Sequence, residues 1–475
     1  MSSVTLRLFN TLTREIGEFV PIAPPRVGLY SCGPTVYSYA HIGNMRPYVF
    51  SDTLRRVLEW KGFEVRQVIN ITDVGHLTSD ADEGADKMEE AARRERRNAW
   101  EIAEHYTRAF MDDIHALRIQ DPHVWSKATD HIAEMIRFAE GLVTQGWCYE
   151  LPSGLYFDTS KDDDYGTLAR LDLEGQREGA RVEAVEGKRN PSDFAIWRRS
   201  APGENRQMEW DSPWGRGAPG WHLECSVMSI QHLGDHFDIH TGGVDHIPVH
   251  HTNEIAQSEA FLADGATWVP WWLHNEFINL KAAKLSKSSG DSLRVTELDG
   301  YHPLVYRYLL LQAHYRSQVE FTWEAMDAAR TGLRRLLDRY ASARTEPTAI
   351  GEAGRRHLDE FDAAISDDLN TSRALAAVSA ASRDESLAPG ELRSLAAEFD
   401  AVLAIGLTDL VPTDLDLRRR DADITDAEID ALVAERDAAR AAKDFAKSDE
   451  LRDRLTAMGV LVEDNATGQT TWRWS

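Results

Sequence analysis

The hydrophobic positions change period twice between Val27 and Ile71. Val27-Gly28-Leu29-Tyr30 is a short apolar run that reads as a buried strand, and residues 65–71 are a second strand-like run. Between them Val49, Phe50, Leu54, Val57 and Leu58 recur at helical spacing within residues 47–60. Strand, polar loop, helix, strand is a βαβ unit. Its loop, residues 30–44 (YSCGPTVYSYAHIGN), therefore lies where such sheets bind ligands.

The same reading extends along the chain. Residues 1–26 predict a hairpin or extended lead-in ending at Pro24-Pro25. Residues 86–146 turn helical, with a break at Asp121-Pro122, and residues 147–217 read as short strands and loops rich in Gly, Asp and Pro. Residues 221–239 return to helix and then strand. Residues 240–248 (HTGGVDHIP) read as a glycine-rich loop, 250–261 as helix, and 277–280 as a strand before a lysine-bearing loop. Ala-, Leu- and Arg-rich helical patterns fill 324–410, with breaks at Pro347 and Pro389-Gly390, which predicts a helical bundle. A polar linker over 412–423 contains Arg418, Arg419 and Arg420; a helix pair (425–458) and two short strands (460–463, 470–473) close the chain. The expected organisation is α/β: a nucleotide-binding domain over 1–295 carrying an insertion at about 87–217, a connecting fold at 296–323, the bundle, and a small α+β unit at 424–475.

Composition narrows the class. With 475 residues, 42% hydrophobic and 28% charged, the chain has room for two to four domains. No apolar run approaches the roughly 20 residues of a membrane span, and the first residues lack a signal-peptide layout. Three cysteines make no disulfide framework, so a reducing cytoplasm is expected. A net charge of −25 counts against nucleic acid as a partner, because RNA affinity usually draws on a basic surface. Any RNA contact has to use local patches. The cluster Arg93-Arg94-Glu95-Arg96-Arg97 is either such a patch or a solvated helix face with Glu partners.

Candidate chemistry sits in the first loop and near residue 250. Cys32 is a thiol in the ligand-binding loop, and His41-Ile42-Gly43 places an imidazole beside a glycine that opens a helix. A helix N-terminus with that glycine lets a phosphate approach free N–H groups. His250 and Glu254, four apart, share a helix face and could ligate a metal together. Cys32 and Cys225 have no finger-like spacing. Buried cysteines are commonly small apolar side chains, and His246, His250 and His251 are equally readable as loop histidines. Cys148 has no evident partner and reads as structural.

His41-Ile42-Gly43-Asn44 resembles the HIGH motif of class I aminoacyl-tRNA synthetases, and Lys284-Leu285-Ser286-Lys287-Ser288 resembles their KMSKS loop. FNTLTRE, CGPTVY, NITDVGH, KRNPSDFAIW, GWHLECS, HHTNEIAQS and GQTTWRW narrow the resemblance to the cysteinyl-tRNA synthetases, from about residue 4 to the C-terminus. The resemblance implies a Rossmann-type catalytic domain with a mixed insertion, a helical bundle and a C-terminal anticodon-binding unit. It implies one zinc ion on Cys32, Cys225, His250 and Glu254, with His251 as a possible outer-shell group, and Mg2+ with ATP. His41, Lys284 and Lys287 would be catalytic. Gly43, Asn44, Gly243 and Asp245, with His41 and Lys287, would bind ATP. Gly33, Thr35, Thr72, Trp221 and His222 would shape the cysteine pocket, and Arg440, Asp449, Asp464 and Trp472 would face the anticodon of tRNA(Cys). The implied partners are ATP, L-cysteine and tRNA(Cys), without a membrane, and a monomer is expected.

Two positions depart from the family pattern. Asn44 stands for the last His of HIGH, so that position never carries a proton charge, and Leu285 replaces the usual Met. Two other readings keep part of this picture: a cysteine ligase acting on an amino sugar, as in mycothiol synthesis, and a non-catalytic RNA-binding paralogue.

Overall fold

The computed structural model describes residues 4–75, 87–171, 187–201, 203, 206–280, 293–298, 300–417, 424–464 and 470–474. In chain order its elements are the hairpin β1 (Arg7–Asn10) and β2 (Glu15–Glu18), then β3 (Arg26–Ser31), α1 (Ile42–Trp60), β4 (Glu64–Ile71), α2 (Lys87–Glu95), α3 (Ala99–Ala116), β5 (Val124–Lys127) and α4 (Ile132–Thr144). A small antiparallel sheet follows, β6 (Cys148–Leu151), β7 (Gly154–Phe157), β8 (Phe194–Arg199) and β9 (Gly217–Pro219). Next come α5 (Trp221–Leu233), β10 (Ile239–Gly243), α6 (Thr252–Leu262), β11 (Trp271–Asn275), β12 (Ile278–Asn279), α7 (Pro303–Leu311), β13 (Val319–Glu320), α8 (Trp323–Ala341), α9 (Glu352–Ile365), α10 (Thr371–Ala381) and α11 (Pro389–Leu403). The chain closes with α12 (Asp426–Ala441), α13 (Phe445–Ala457), β14 (Val460–Asp464) and β15 (Thr470–Trp474).

The chain forms two compact units. The first comprises residues 1–280, 313–320 and 359–374. Its centre is a five-stranded sheet in the order β11-β10-β3-β4-β5, parallel at every pairing. The inner ends of β3 and β4 are buried on both faces, as expected of central parallel strands. Leu29, Tyr30, Val68 and Ile69 are essentially inaccessible. The carboxyl ends of β3, β4, β10 and β11 supply the site described below.

Arg46 on α1 ties down one flank of this unit. Its buried guanidinium donates to the carbonyls of Phe277, His314, Tyr315 and Ser317, and Phe50 stacks on Tyr315 at 4.4 Å. Asp368 holds the same flank by accepting from the Phe9 amide, the Tyr315 hydroxyl and the Arg316 guanidinium.

The periodicity misplaces several boundaries. The helical run after residue 86 is two helices, not one. Arg96 takes a left-handed φ of 55°, and Asn98 then caps α3 through a reciprocal bond with Glu101. An Asn–Glu capping box outcompetes a continuous apolar stripe at that point. Residues 240–243 are strand β10 and not loop, because Gly242 and Gly243 keep the β11 register. Residues 247–251 form a π-helical turn that runs into α6. Residues 87–217 contain β5, the edge strand of the central sheet, and residues 296–323 contain the helix α7.

The second unit comprises residues 281–312, 321–358 and 375–475. Buried Arg307 on α7 donates to the Leu403 carbonyl at 2.8 Å, and the Tyr340 hydroxyl donates to the Val378 carbonyl at 2.8 Å. At its C-terminal end α12 and α13 pack with the β14–β15 hairpin around Ile429, Val433, Leu455, Val460 and Trp474. No helix of the described residues is long and apolar enough to cross a membrane.

Candidate active site

A cleft of about 470 Å³ opens at the carboxyl edge of the sheet. Cys32, Gly33, Thr35, His41, Gly43, Asn44, Gly243 and Asp245 all line it. The β3–α1 loop reaches the edge by close backbone approach. A Cβ on Gly33 would sit 1.6 Å from the Asn70 carbonyl oxygen, so only glycine fits. Asn70 then knits the loop together: its Oδ1 accepts from the Gly33 amide at 2.7 Å, and its amide NH2 donates to Thr72 at 3.0 Å.

His41 and Asn44 cap α1 reciprocally. The Asn44 amide donates to His41 Nδ1 at 3.3 Å, and the His41 amide donates to Asn44 Oδ1 at 3.0 Å. Because a backbone N–H can only donate, Nδ1 is the accepting nitrogen and the ring proton lies on Nε2. Burial pushes the His41 pKa down, so the ring is a neutral donor at the helix N-terminus. The ring needs the adjacent glycine: a Cβ on Gly43 would lie 2.8 Å from it. The amide at position 44 thus completes the cap with its oxygen and retains its NH2 for donation.

At the floor of the cleft four donors converge. One atom from each of Cys32, Cys225, His250 and Glu254 lies within 4.8 Å of the other three, all on buried residues. Cys32 follows β3, Cys225 lies on α5, His250 on the π-helical turn and Glu254 on α6. His250 Nε2 is 3.0 Å from Glu254 Oε1, yet that oxygen is buried without a hydrogen-bond partner. A buried carboxylate oxygen left without a donor, facing an imidazole nitrogen and two thiols, suits a shared cation. Burial is the main force raising the pKa of Glu254 and of Cys32. Cys225 is pulled down by its bond with Cys32, but burial and the nearby Glu254 and Glu224 outweigh this and leave it raised. Two buried thiols and a buried carboxyl ionise together only around a multivalent cation.

A second set, Cys32, His240, His251 and Glu254, satisfies the same spacing. Its imidazoles already have partners that make them supports. His240 Nε2 lies 3.0 Å from Glu254 Oε2 and its ring stacks on Trp272 at 4.5 Å. His251 Nε2 lies 3.2 Å from Cys32 Sγ, His251 Nδ1 is 2.7 Å from His274 Nε2, and His274 Nδ1 is 2.7 Å from the Thr11 hydroxyl. Burial lowers the pKa of all three imidazoles, of His240 to about 3, so this chain is neutral. His251 stands out in the sequence, whereas His240, His274 and Thr11 do not. FNTLTRE contains Thr11, yet nothing local to that segment signals a bond to a histidine 263 positions away.

Three expected pocket residues lie elsewhere than on the cleft lining. Trp221 stacks on the His250 ring at 4.1 Å, and His222 Nδ1 is 3.0 Å from His250 Nδ1. Thr72 pairs with Thr35 across a backbone bridge and donates to Glu224 at 3.1 Å. Lys284 and Lys287 fall outside the described residues. In the C-terminal unit Asp449 is exposed and Arg440 partly so. The Trp472 indole donates to Asp430 at 2.6 Å, so its donor is used inside the unit. Asp464 ends β14, and its side chain is outside the described part. Arg93, Arg94, Arg96 and Arg97 are exposed, with Arg94 paired to Glu95 at 3.0 Å. Cys148 is partly buried, and burial pushes its pKa up to about 12, as expected of a structural thiol.

The parallel sheet, capped helix N-terminus and cleft define a class I synthetase fold. Methionyl-tRNA synthetase of Mycobacterium tuberculosis, solved with methionyl-adenylate, shares that fold with a TM-score of 0.55 at 14% identity, over 80% of this chain and 90% of that one. The family described as tRNA synthetases class I (C) catalytic domain matches residues 18–331, and the cysteinyl-tRNA ligase anticodon binding domain matches residues 423–473. The cysteine–tRNA ligase of Novosphingobium aromaticivorans is 52% identical over 99% of this chain and 97% of its own length. A cysteine–tRNA ligase of Thermus thermophilus is 42% identical over 98% of this chain and 99% of its own length. The chain belongs to the cysteine–tRNA ligase family and is a ligase.

Proposed function

We propose that the chain joins L-cysteine to tRNA(Cys) at the expense of ATP, releasing AMP and pyrophosphate. The observation that carries this reading is the double position of Cys32. It belongs to the four-donor cluster and also lines the cleft that holds His41, Asn44, Gly243 and Asp245. A thiol-recognising centre and a phosphate-binding helix end thus open on one space.

In the first step a cysteine carboxylate oxygen attacks the α-phosphorus of ATP. The bond to the bridging oxygen breaks, and pyrophosphate leaves with Mg2+. The His41 Nε2–H and the α1 N-terminus stabilise the phosphate oxygens, and the Asn44 NH2 donates beside them. Asp245 accepts from the ribose hydroxyls, with Gly243 giving the adenosine room. Lys284 and Lys287 neutralise charge growing on the α- and β-phosphates. In the second step a terminal ribose hydroxyl of the tRNA attacks the carbonyl carbon, and AMP leaves.

Cys32, Cys225, His250 and Glu254 would hold zinc, which when bound supplies a soft Lewis-acidic position that prefers a thiolate to a hydroxyl. His222 and Trp221 orient the His250 ring, His240 orients Glu254, and His251 orients Cys32. Such outer partners keep each donor aimed inward. Gly33, Thr35 and Thr72 shape the space for the amino acid.

Residues 424–475 bind the anticodon through Arg440, Asp449, Asp464 and Trp472. Phe445, 65% exposed at the start of α13, adds an aromatic face on which an unstacked base can lie. The anticodon-domain match favours this over transfer to an amino sugar. A monomer working in the cytoplasm completes the proposal. The test is cysteine-dependent ATP–pyrophosphate exchange followed by charging of purified tRNA(Cys). Exchange without charging, or charging of an amino sugar instead, would overturn it.

A further inference from the structure

One wall of the cleft has no part in the adenylation chemistry above. It carries Tyr37, Tyr39 and Tyr106 together with Lys87 from the start of α2. Lys87 is the only Lys or Arg among the described residues lining the cleft, on a chain of net charge −25. Its ammonium lies 5.4 Å from the Tyr37 ring centroid, a cation–π distance that holds it at this wall.

Tyr39 is braced from the other side. Its hydroxyl is 2.9 Å from His105 Nε2, and its ring makes edge contacts with His105 at 5.6 Å and Tyr106 at 4.9 Å. Even so the residue keeps 37% of its surface exposed. A core tyrosine would be covered, and a surface tyrosine would not need two aromatic braces and a hydrogen bond to fix its ring. A pre-set aromatic surface with a cation alongside is the pair of elements that holds single-stranded nucleic acid: the base stacks, and the backbone phosphate meets the ammonium. In the reaction proposed above, ATP and cysteine take other residues of the lining, His41, Asn44, Gly243 and Asp245 for ATP and Gly33 and Thr35 for cysteine. Tyr39 also stands two residues before His41, next to the end of the cleft where activated cysteine would form.

We propose that Tyr39 and Lys87 form a subsite for an unpaired nucleotide at the end of an RNA strand, which holds the acceptor terminus against the cleft during transfer. This rests on the two-step reading of the preceding section. Stacking tolerates any base, which suits a strand end whose identity is read elsewhere.

The two half-reactions separate the possibilities. Zinc-loaded, full-length Tyr39→Ala is expected to keep cysteine-dependent pyrophosphate exchange within about twofold, while kcat/KM for tRNA(Cys) falls about tenfold, near one lost stacking contact. Tyr39→Trp is expected to restore charging. Lys87→Ala is expected to lower tRNA affinity and to reduce the salt slope of charging by about one. Parallel loss of exchange and charging in Tyr39→Ala would overturn the subsite, because the wall would then serve ATP or cysteine. Unchanged charging in both alanine variants would overturn it as well. An unaltered protein lacking exchange would remove the adenylation reading itself, and the subsite with it.

Discussion

The cleft floor and the C-terminal unit place their polar residues in opposite ways. At the floor, Cys32, Cys225, His250 and Glu254 are all buried and come from three separate segments, and Cys32, His250 and Glu254 each contact a further buried histidine. In the C-terminal unit, Arg440, Asp449 and Phe445 lie within ten residues of one another in sequence, on or at the ends of one helix pair, and are largely exposed. Burying ionisable groups costs free energy unless partners or a cation compensate, so each group at the floor depends closely on its neighbours. Exposed groups cost little and can adapt to a large, wet, polar partner. The difference teaches that single substitutions should be severe at the floor, whereas at the C-terminal unit only loss of several groups together should be.

The largest effect is expected from breaking the floor. Cys225→Ser should abolish stoichiometric zinc and raise the cysteine KM by more than the roughly 10–100-fold typical of outer-shell changes. ATP affinity should stay near normal. Metal analysis and exchange kinetics check both, and zinc retained at one per chain would contradict the assignment of this ligand.

Removal of residues 424–475 should come next. It should leave exchange nearly intact and raise the tRNA KM by roughly 100-fold, as loss of two or more base contacts at about 1–3 kcal/mol each implies. Equal charging by truncated and full-length proteins at limiting tRNA would remove the anticodon role and erase the contrast between the regions.

His222→Ala sharpens the account of the floor. If His222 acts by orienting His250, zinc affinity should fall about 10–100-fold and cysteine binding should recover in excess zinc. A raised cysteine KM that excess zinc does not correct would instead make His222 a direct wall of the cysteine pocket.

Single substitutions at the C-terminal unit should be milder. Phe445→Ala and Arg440→Ala should each cost about 1–3 kcal/mol in tRNA recognition. A loss of exchange in either variant would show that the two regions do not divide the labour as described.

The smallest expected effect is a pH dependence of stability at His236. Burial opposes its protonation, but the bond to Asp264 at 2.8 Å outweighs this and raises its pKa above the ordinary 6.5. The raised folded-state pKa makes its stabilising contribution fully present below pH 6.5 and lost as pH rises through the folded value. Asp264→Asn should therefore lower the melting temperature slightly at pH 6 and not at pH 9. Equal shifts at both values would rule the ion pair out as the cause.

Much of this was legible in the sequence, for identifiable reasons. Short strand-like runs and one helical apolar period located β3, α1 and β4 to within a few residues. The i, i+4 spacing of His250 and Glu254 put both on one face even though the helix begins as a π-helical turn. Periodicity missed the split between α2 and α3, where a side-chain cap decides. It also read β10 as loop, because two glycines hide a strand whose partners supply the burial. The supporting imidazoles were least legible. His240, His274 and Thr11 acquire their roles only from contacts across the sheet. His222 was legible as a site residue through the resemblance, but its bond to His250 was not.

The most direct measurement is pyrophosphate exchange by the full-length protein before and after zinc removal, with cysteine and serine as competing substrates. The expected result is one zinc per chain, exchange with cysteine and not with serine, loss of cysteine affinity on stripping, and recovery when zinc is restored. Full affinity for cysteine in a demonstrably zinc-free protein would contradict the claim that Cys32, Cys225, His250 and Glu254 select the substrate thiol through a metal.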